Sequence, residues 1–433
     1  MIKKLAAAVL AATAVAGLAA CAPATSDRQV SSADAKSLTI WTTANGPAKE
    51  LFTGYGKSFE AAHPGVTVNI QYMADADVKQ KVQAALVAKN LPEIVAWYGG
   101  SFLTPLVQAS ALADLSGYIK ADTAWRDGLL PRAFDNYTVD GKTYMVPTES
   151  PIVEMFYNKD LFAKAGVTRP PTTLDEFLAD VRKFKDAGIV PVTLDGKDGW
   201  PLQQWYTYLA MRNGGPALIG DALAGKTEWT APPFTLAAKQ LKQIIDAGAF
   251  QKGYLGTGYD EAMADFYGGQ AAMVLSGTWI MSSLTAEENK AALARTGTFD
   301  FPLTGGSGTI ADVQGGPNGA LGISATAPDK ALAWEFVKGA TSGTEAAKLA
   351  EQALLLMPNK ITYDRTAVPD LFNRLVDKLA GYTGYNLFWN EILPAQHNTE
   401  FTNLQNSLAT GDITPEKMTS DFAAYMKAHP VGS

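Results

Sequence analysis

An α/β fold of layered strands and helices, built as more than one unit, is predicted by three observations. Strand-like and helix-like segments alternate along the chain, the order that gives helices packed on a sheet. The chain has 433 residues, and a domain ordinarily takes ~150, so two or three units are expected. Apolar residues make up 47% and charged residues 18%, enough to bury a sizeable core and too apolar for wholesale disorder. A net charge of −7 without a basic stripe argues against nucleic acid as the main partner.

The first segment is not part of the fold. Lys3 and Lys4 precede an apolar, alanine-rich run over 5–20 in which Thr13 is the one polar residue. The run is short for a membrane span and suits the core of a signal peptide, assigned to 1–20. Its end, Leu18-Ala19-Ala20-Cys21, resembles the bacterial lipobox, in which the cysteine becomes the new N-terminus and carries a lipid thioether. Cys21 is therefore the expected lipidation site, and a lipid anchor the expected membrane contact. Residues 21–37 continue as small, polar, aperiodic sequence, read as a flexible tether.

The body follows in order. Residues 38–42 (LTIWT) read as a buried strand, and 49–62 as a helix carrying Leu51, Phe52, Tyr55 and Phe59, ended by His63-Pro64-Gly65. An alternating strand over 66–70, a helix over 78–88 and a strand over 94–97 complete a pattern that predicts a largely parallel sheet. Ligands of such sheets bind beyond the strands' carboxyl ends, here the loops Thr43-Ala44-Asn45-Gly46 and Trp97-Tyr98-Gly99-Gly100. A second unit begins near Pro147. It offers a strand over 153–157, a short helix over 159–164, and the capping box Thr173-Leu174-Asp175-Glu176. A helix bearing Phe177, Val181 and Phe184 ends at Gly188, and a strand spans 189–193. Residues 200–250 read as mostly helical, and 273–275 as a short strand. The glycine-rich stretch 305–322 reads as a crossover loop; helices are expected over 330–337 and 345–354, and through much of the tail from Tyr363.

Several segments match a known family in order. They are Ile40-Trp41, Phe59-Glu60-Ala61-Ala62-His63-Pro64-Gly65-Val66, Leu91-Pro92-Glu93-Ile94-Val95 and Gly141-Lys142-Thr143-Tyr144-Met145-Val146-Pro147. Then come Phe156-Tyr157-Asn158-Lys159-Asp160-Leu161-Phe162, Pro170-Pro171-Thr172-Thr173, Gly269-Gln270-Ala271-Ala272-Met273, Ser276-Gly277-Thr278-Trp279 and Ala333-Trp334-Glu335-Phe336-Val337. This order resembles extracellular solute-binding protein family 1, the sugar-binding lipoproteins of bacterial ABC importers, including the maltose-binding type. Glu93 departs from the family's usual aspartate, a chemically small change. The resemblance implies a two-lobed periplasmic-binding fold of type II with a ligand cleft between lobes joined by crossing hinge segments. Lobe 1 is expected at 38–148 plus 315–360, and lobe 2 at 149–314 plus 361–433. It also implies a carbohydrate ligand, delivery to ABC transporter permease subunits, no enzymatic activity and no cofactor. A monomer on the extracytoplasmic face of the membrane is expected.

A sugar presents C–H groups on its faces and hydroxyls at its rim, so its site needs aromatic rings and paired polar acceptors. Trp97 and Trp279 match sugar-stacking positions of the family. Tyr98, Trp200, Trp205 and Trp389 are further candidate rings, while Trp41, inside the first strand, is expected in the core. Asn45, Glu149, Ser150, Gln203 and Asn318 are candidate polar contacts, with Glu154 as an alternative to Glu149 and the Gly316 backbone on the return crossing. With one Cys and three scattered His, no metal site is expected. The rival readings are a lipid-anchored glycoside hydrolase, needing two carboxylates ~5–9 Å apart, and a binding protein for a polyol or polyamine.

Overall fold

The computed structural model describes residues 36–43, 46–381, 386 and 388–431. The expected signal peptide, Cys21 and Asn45 lie outside them.

Nine strands form two main sheets: β1 (Lys36–Thr42), β2 (Val66–Tyr72), β3 (Ile94–Trp97), β4 (Met145–Glu149), β5 (Val153–Asn158), β6 (Val190–Thr193), β7 (Ala271–Gly277), β8 (Thr296–Phe299) and β9 (Asn318–Ile323). The first sheet has the order β2-β1-β3-β9-β4 and the second β8-β5-β7-β6. Each carries helices on its faces, so the molecule is a two-lobed α/β protein. The burial of each strand follows its position. β7 is buried along its whole length because it is flanked on both edges and covered on both faces. β2, at an edge, exposes Thr67 and Asn69 on alternate positions.

The sheets are mixed, not largely parallel as the sequence suggests. β1 runs parallel to β2 and β3, and β6 parallel to β7, but β9 is antiparallel to both β3 and β4, and β5 to both β7 and β8. The cause is the connectivity. β9 returns from the second lobe and enters the first sheet from the opposite end. Its sequence Asn318-Gly319-Ala320-Leu321-Gly322-Ile323 lies partly inside the stretch expected to be a loop. The glycines allow a close approach there, because a Cβ on Gly322 would sit 3.2 Å from Met145 Cε.

Three cores result. Leu38, Ile40, Ile94, Val146, Leu321 and Ile323 face one side of the first sheet and meet Phe59, Trp334 and Phe336; Val95, Trp97, Met145 and Ala320 face the other and meet Val78, Val82 and Tyr137. The second lobe has one large core that includes the C-terminal helices Asp370–Ala380, Ala395–Thr410 and Pro415–Ala428. The helix Gly343–Ala353 lies at the seam, packing Ala346 and Ala350 into that second core.

The expected capping box opens the helix Leu174–Asp186, where Thr173 Oγ1 accepts from the Glu176 amide at 3.3 Å. The Glu176 carboxylate reaches back one residue further than the pattern implies, to the Thr172 amide and hydroxyl.

The lobes are joined by adjacent passages of chain. Residues 150–152 run beside 313–316, with an isolated bridge between Ile152 and Gly315. Val153 N–H donates to Gln314 O, Gly316 N–H to Pro151 O, and Ser150 N–H to Leu356 O on a third passage. A Cβ on Gly315 would lie 2.6 Å from Pro151 O, and Gly316 has φ of 133°, so this contact requires glycine at both positions.

Candidate ligand-binding site

The lobes are closed on one another. Ala48 N–H donates to Ser282 Oγ at 3.4 Å, Ser101 Oγ donates to Asn390 O at 3.1 Å, and Asn136 Nδ2 donates to Glu391 Oε2 at 2.6 Å. Gly100 lies so near the Glu391 carbonyl that a Cβ there would be 2.3 Å from it. The chemistry concentrates along this seam, in an aromatic group on the second lobe and a polar group contributed by both.

The aromatic group grows from the carboxyl ends of β6 and β7. After β7, Gly277-Thr278-Trp279 turns the chain, and the indole of Trp279 folds back over the glycine: a Cβ on Gly277 would fall 2.0 Å from the ring. After β6, the turn Gly196–Asp198 leads into the helix Trp200–Gly214. Trp200 meets Trp279 edge-on at 5.9 Å, Tyr259 lies 6.0 Å from Trp200, and Phe388 6.0 Å from Trp279. Trp200, Tyr259 and Trp279 are half-buried, leaving ring surface free. Asp195, at the start of the turn between β6 and Trp200, is 2% exposed and its Oδ2 has no partner; burial pushes its carboxyl up to about 7.

The polar group surrounds Tyr98. Its hydroxyl donates to Asp75 Oδ1 at 2.5 Å, and Asp75 pairs with Lys79 at 2.7 Å, whose ammonium lies 4.9 Å from the Tyr98 ring centre. Glu391 accepts from both Asn136 and Asn318, so a second-lobe carboxylate is tied to two first-lobe amides. Burial raises Glu391 to about 8, against the opposing pull of the Asn136 bond and Lys79 and with the help of the Glu149 charge. Burial likewise raises Glu149 to about 7. Tyr98, Glu149 and Asn318 are half-buried at the seam.

Trp200 and Trp279 thus share the ring group, Tyr98, Glu149 and Asn318 share the polar group, and the other described candidates join neither. Trp97 is 3% exposed, sealed in the first lobe with its indole N–H donated to Phe102 O at 2.9 Å; its neighbour Tyr98 takes the seam instead. Trp205 is enclosed by Phe177, Phe250 and Phe301, and Trp389 stacks on Phe401 at 4.4 Å beside Tyr206, Trp229 and Phe422. Trp389 is core because the C-terminal helices cover it, and Trp205 because Phe177, Phe250 and Phe301 close around it. Gln203 is buried and clamps helices, donating to Asn398 Oδ1 and Thr402 Oγ1. Ser150 and Gly316 belong to the hinge passages, where their backbones are occupied. Glu154 pairs with Lys378 inside the second lobe, beside Asp300. Trp41 packs against the first-lobe core as expected, with Lys81 Nζ 4.0 Å above its ring. Sequence reasoning missed Asp75, Lys79, Asn136, Asp195, Tyr259 and Glu391. Glu391 stands just past a segment rich in rings, the one signal that could have drawn attention to it.

A two-lobed α/β protein with rings and hydrogen-bonding groups along its seam has the architecture of binding proteins that close about a hinge. The profile of the bacterial extracellular solute-binding proteins matches residues 38–347, and the chain belongs to that family. It is 30% identical over 261 residues to a binding protein of Brucella abortus, covering 59% of this chain and 62% of the relative, so the match spans about three-fifths of that protein's length. Among solved structures it is similar to one from a study of xylan utilisation by Caldanaerobius polysaccharolyticus, with TM-score 0.83 and 30% identity over 90% of this chain and 100% of the other. It is also similar to a chitin oligosaccharide binding protein, with TM-score 0.82 and 26% identity over 92% and 100% of the two chains.

Proposed function

We propose that this chain captures a carbohydrate, most simply an oligosaccharide, between its lobes and presents the closed complex to the permease subunits of an ABC importer. The observation that carries this reading is the half-buried ring group of Trp200, Tyr259 and Trp279 on the second lobe, together with a polar group drawn from both lobes. Such rings match the apolar faces of a pyranose, and the carboxylates and amides at the seam match its hydroxyls. A ligand touching both lobes favours the closed state by its differential affinity. The similarity to a chitin oligosaccharide binding protein and to a structure from a xylan study supports a sugar. We place a lipid anchor at Cys21, with residues 22–37 as its tether, and read the protein as a monomer without catalytic activity.

Thermal unfolding against a panel of xylo-, chito- and malto-oligosaccharides tests the reading. At about 100-fold excess over Kd, a true ligand adds about 2.7 kcal/mol. Absence of a shift with every saccharide sinks it. One observation favours a second reading. Asp75, Asp198 and Glu391 lie within reach of the Lys79 charge, Glu149 acts on Glu391 and Lys197 on Asp198, and the charges of Asp75 and Lys79 act on Asp198 across the seam. An excess of carboxylates suits a polyamine, and stabilisation by spermidine with none by sugars would select that ligand.

A further inference from the structure

Among the described residues, Asp195 is the one carboxylate with a buried oxygen that has no hydrogen-bond partner. Its place is fixed from several sides. It follows β6, whose Thr193 pairs with Val274 of β7, so the carboxyl ends that carry Asp195 and Trp279 lie side by side. The next residues are clamped to the segment that opens the Tyr259 helix. Lys197 N–H donates to Thr257 O at 3.2 Å, and a Cβ on Gly196 would meet Tyr254 O at 2.7 Å. The Tyr259 hydroxyl is raised by burial and further by the nearby charge of Asp195. The carboxylate is thus held on the turn that leads into Trp200, near enough for its charge to act on the Tyr259 hydroxyl, with one oxygen unused.

Burying an acceptor without a donor costs on the order of 1–3 kcal/mol, and native structures rarely leave one so. A turn that needed only shape could carry asparagine there, without the charge. The missing donor is of the kind a sugar edge supplies, when the face of the same ring rests on indole. Resting on the carbohydrate reading above, we infer that Asp195 is the specificity-determining acceptor of this site, its Oδ2 taking a hydroxyl hydrogen bond from a saccharide stacked on Trp200 and Trp279. The ligand is then a pyranose with a free hydroxyl on the edge that enters the second lobe.

The test is Asp195→Asn in the full chain, titrated calorimetrically with xylotriose and with diacetylchitobiose and melted without ligand. The amide keeps the side chain's shape and an oxygen for its own backbone N–H. The expected result is a ligand-free Tm equal to or above wild type, together with a Kd at least about tenfold weaker for the sugar that binds. A lower ligand-free Tm, or an unchanged Kd, overturns the inference, since Asp195 then holds only the turn. In either of those cases wild-type binding still upholds the carbohydrate reading. Wild-type protein indifferent to both sugars and to the wider panel overturns the reading and the inference together.

Discussion

Glu391 gains two amide hydrogen bonds at the seam and loses its hydration there, and the loss is the larger effect, leaving its carboxyl at about 8. An acid raised on folding makes the native state bind more protons than the unfolded one. The associated stability is therefore complete below the unfolded value, about 4.5, and is lost as pH climbs through about 8. Glu149 and Asp195, each near 7, act in the same direction. The expected outcome is a Tm that falls from about pH 5 to about pH 8, with Glu391→Gln flattening the decline. A calorimetric scan that instead rises across this window refutes the assignment. The rings give a second contrast. Trp279→Ala should weaken sugar binding by about tenfold to a hundredfold with little change in Tm. Trp205→Ala should cost about 3–5 kcal/mol in stability by opening a core cavity. The two tryptophans look alike in the sequence. What separates them is a glycine beneath Trp279 and three phenylalanines around Trp205, two of which lie 45 and 96 positions away. Local pattern offered both rings as candidates and misplaced Trp205, which the fold seals in the core.

At the level of elements, the crossings are the least tolerant part. The 2.6 Å clearance at Gly315 leaves no room for a side chain against the Pro151 backbone. Gly315→Val should separate the passages at a cost of about 1–3 kcal/mol, and the altered lobe angle should be visible by small-angle scattering even with ligand present. Arg212 ties down the approach to the hinge. Fully buried on its helix, it donates to the carbonyls of Phe301, Thr309 and Asp312. Arg212→Ala should leave three acceptors unsatisfied, cost about 3 kcal/mol or more, and render residues 303–311 sensitive to limited proteolysis. Most helices are legible in the sequence, because caps such as Thr173 and stops such as Gly188 and Gly269 act within a few residues. β9 is not, because its glycine-rich neighbourhood reads as a loop and its strand character comes from β3 and β4 on either side. The direction of pairing is likewise decided by where the chain returns, which no local segment encodes.

For the molecule as a whole, the hydrogen bonds that hold the closed lobes together among the described residues include Asn136 and Asn318 on Glu391, Ser101 on Asn390, and the start of the helix Gly46–Ala62 on Ser282. Removing both amides with Asn136→Ala and Asn318→Ala should favour the open form. The radius of gyration without ligand should then exceed that of wild type, and saturating ligand should bring the two together. Equal radii without ligand would show that these bonds do not hold the lobes. The division into lobes also governs how the chain reaches this state. The first sheet cannot be completed until β9 and the helix Lys330–Ala340 exist, because β9 separates β3 from β4. A ribosome must therefore make the second-lobe segment between β4 and β9 before the amino-terminal lobe can close its hydrogen-bond ladder. Until then the exposed flanks of β3 and β4 keep the nascent polypeptide unfinished, and it stays threadable through a narrow pore for most of its synthesis.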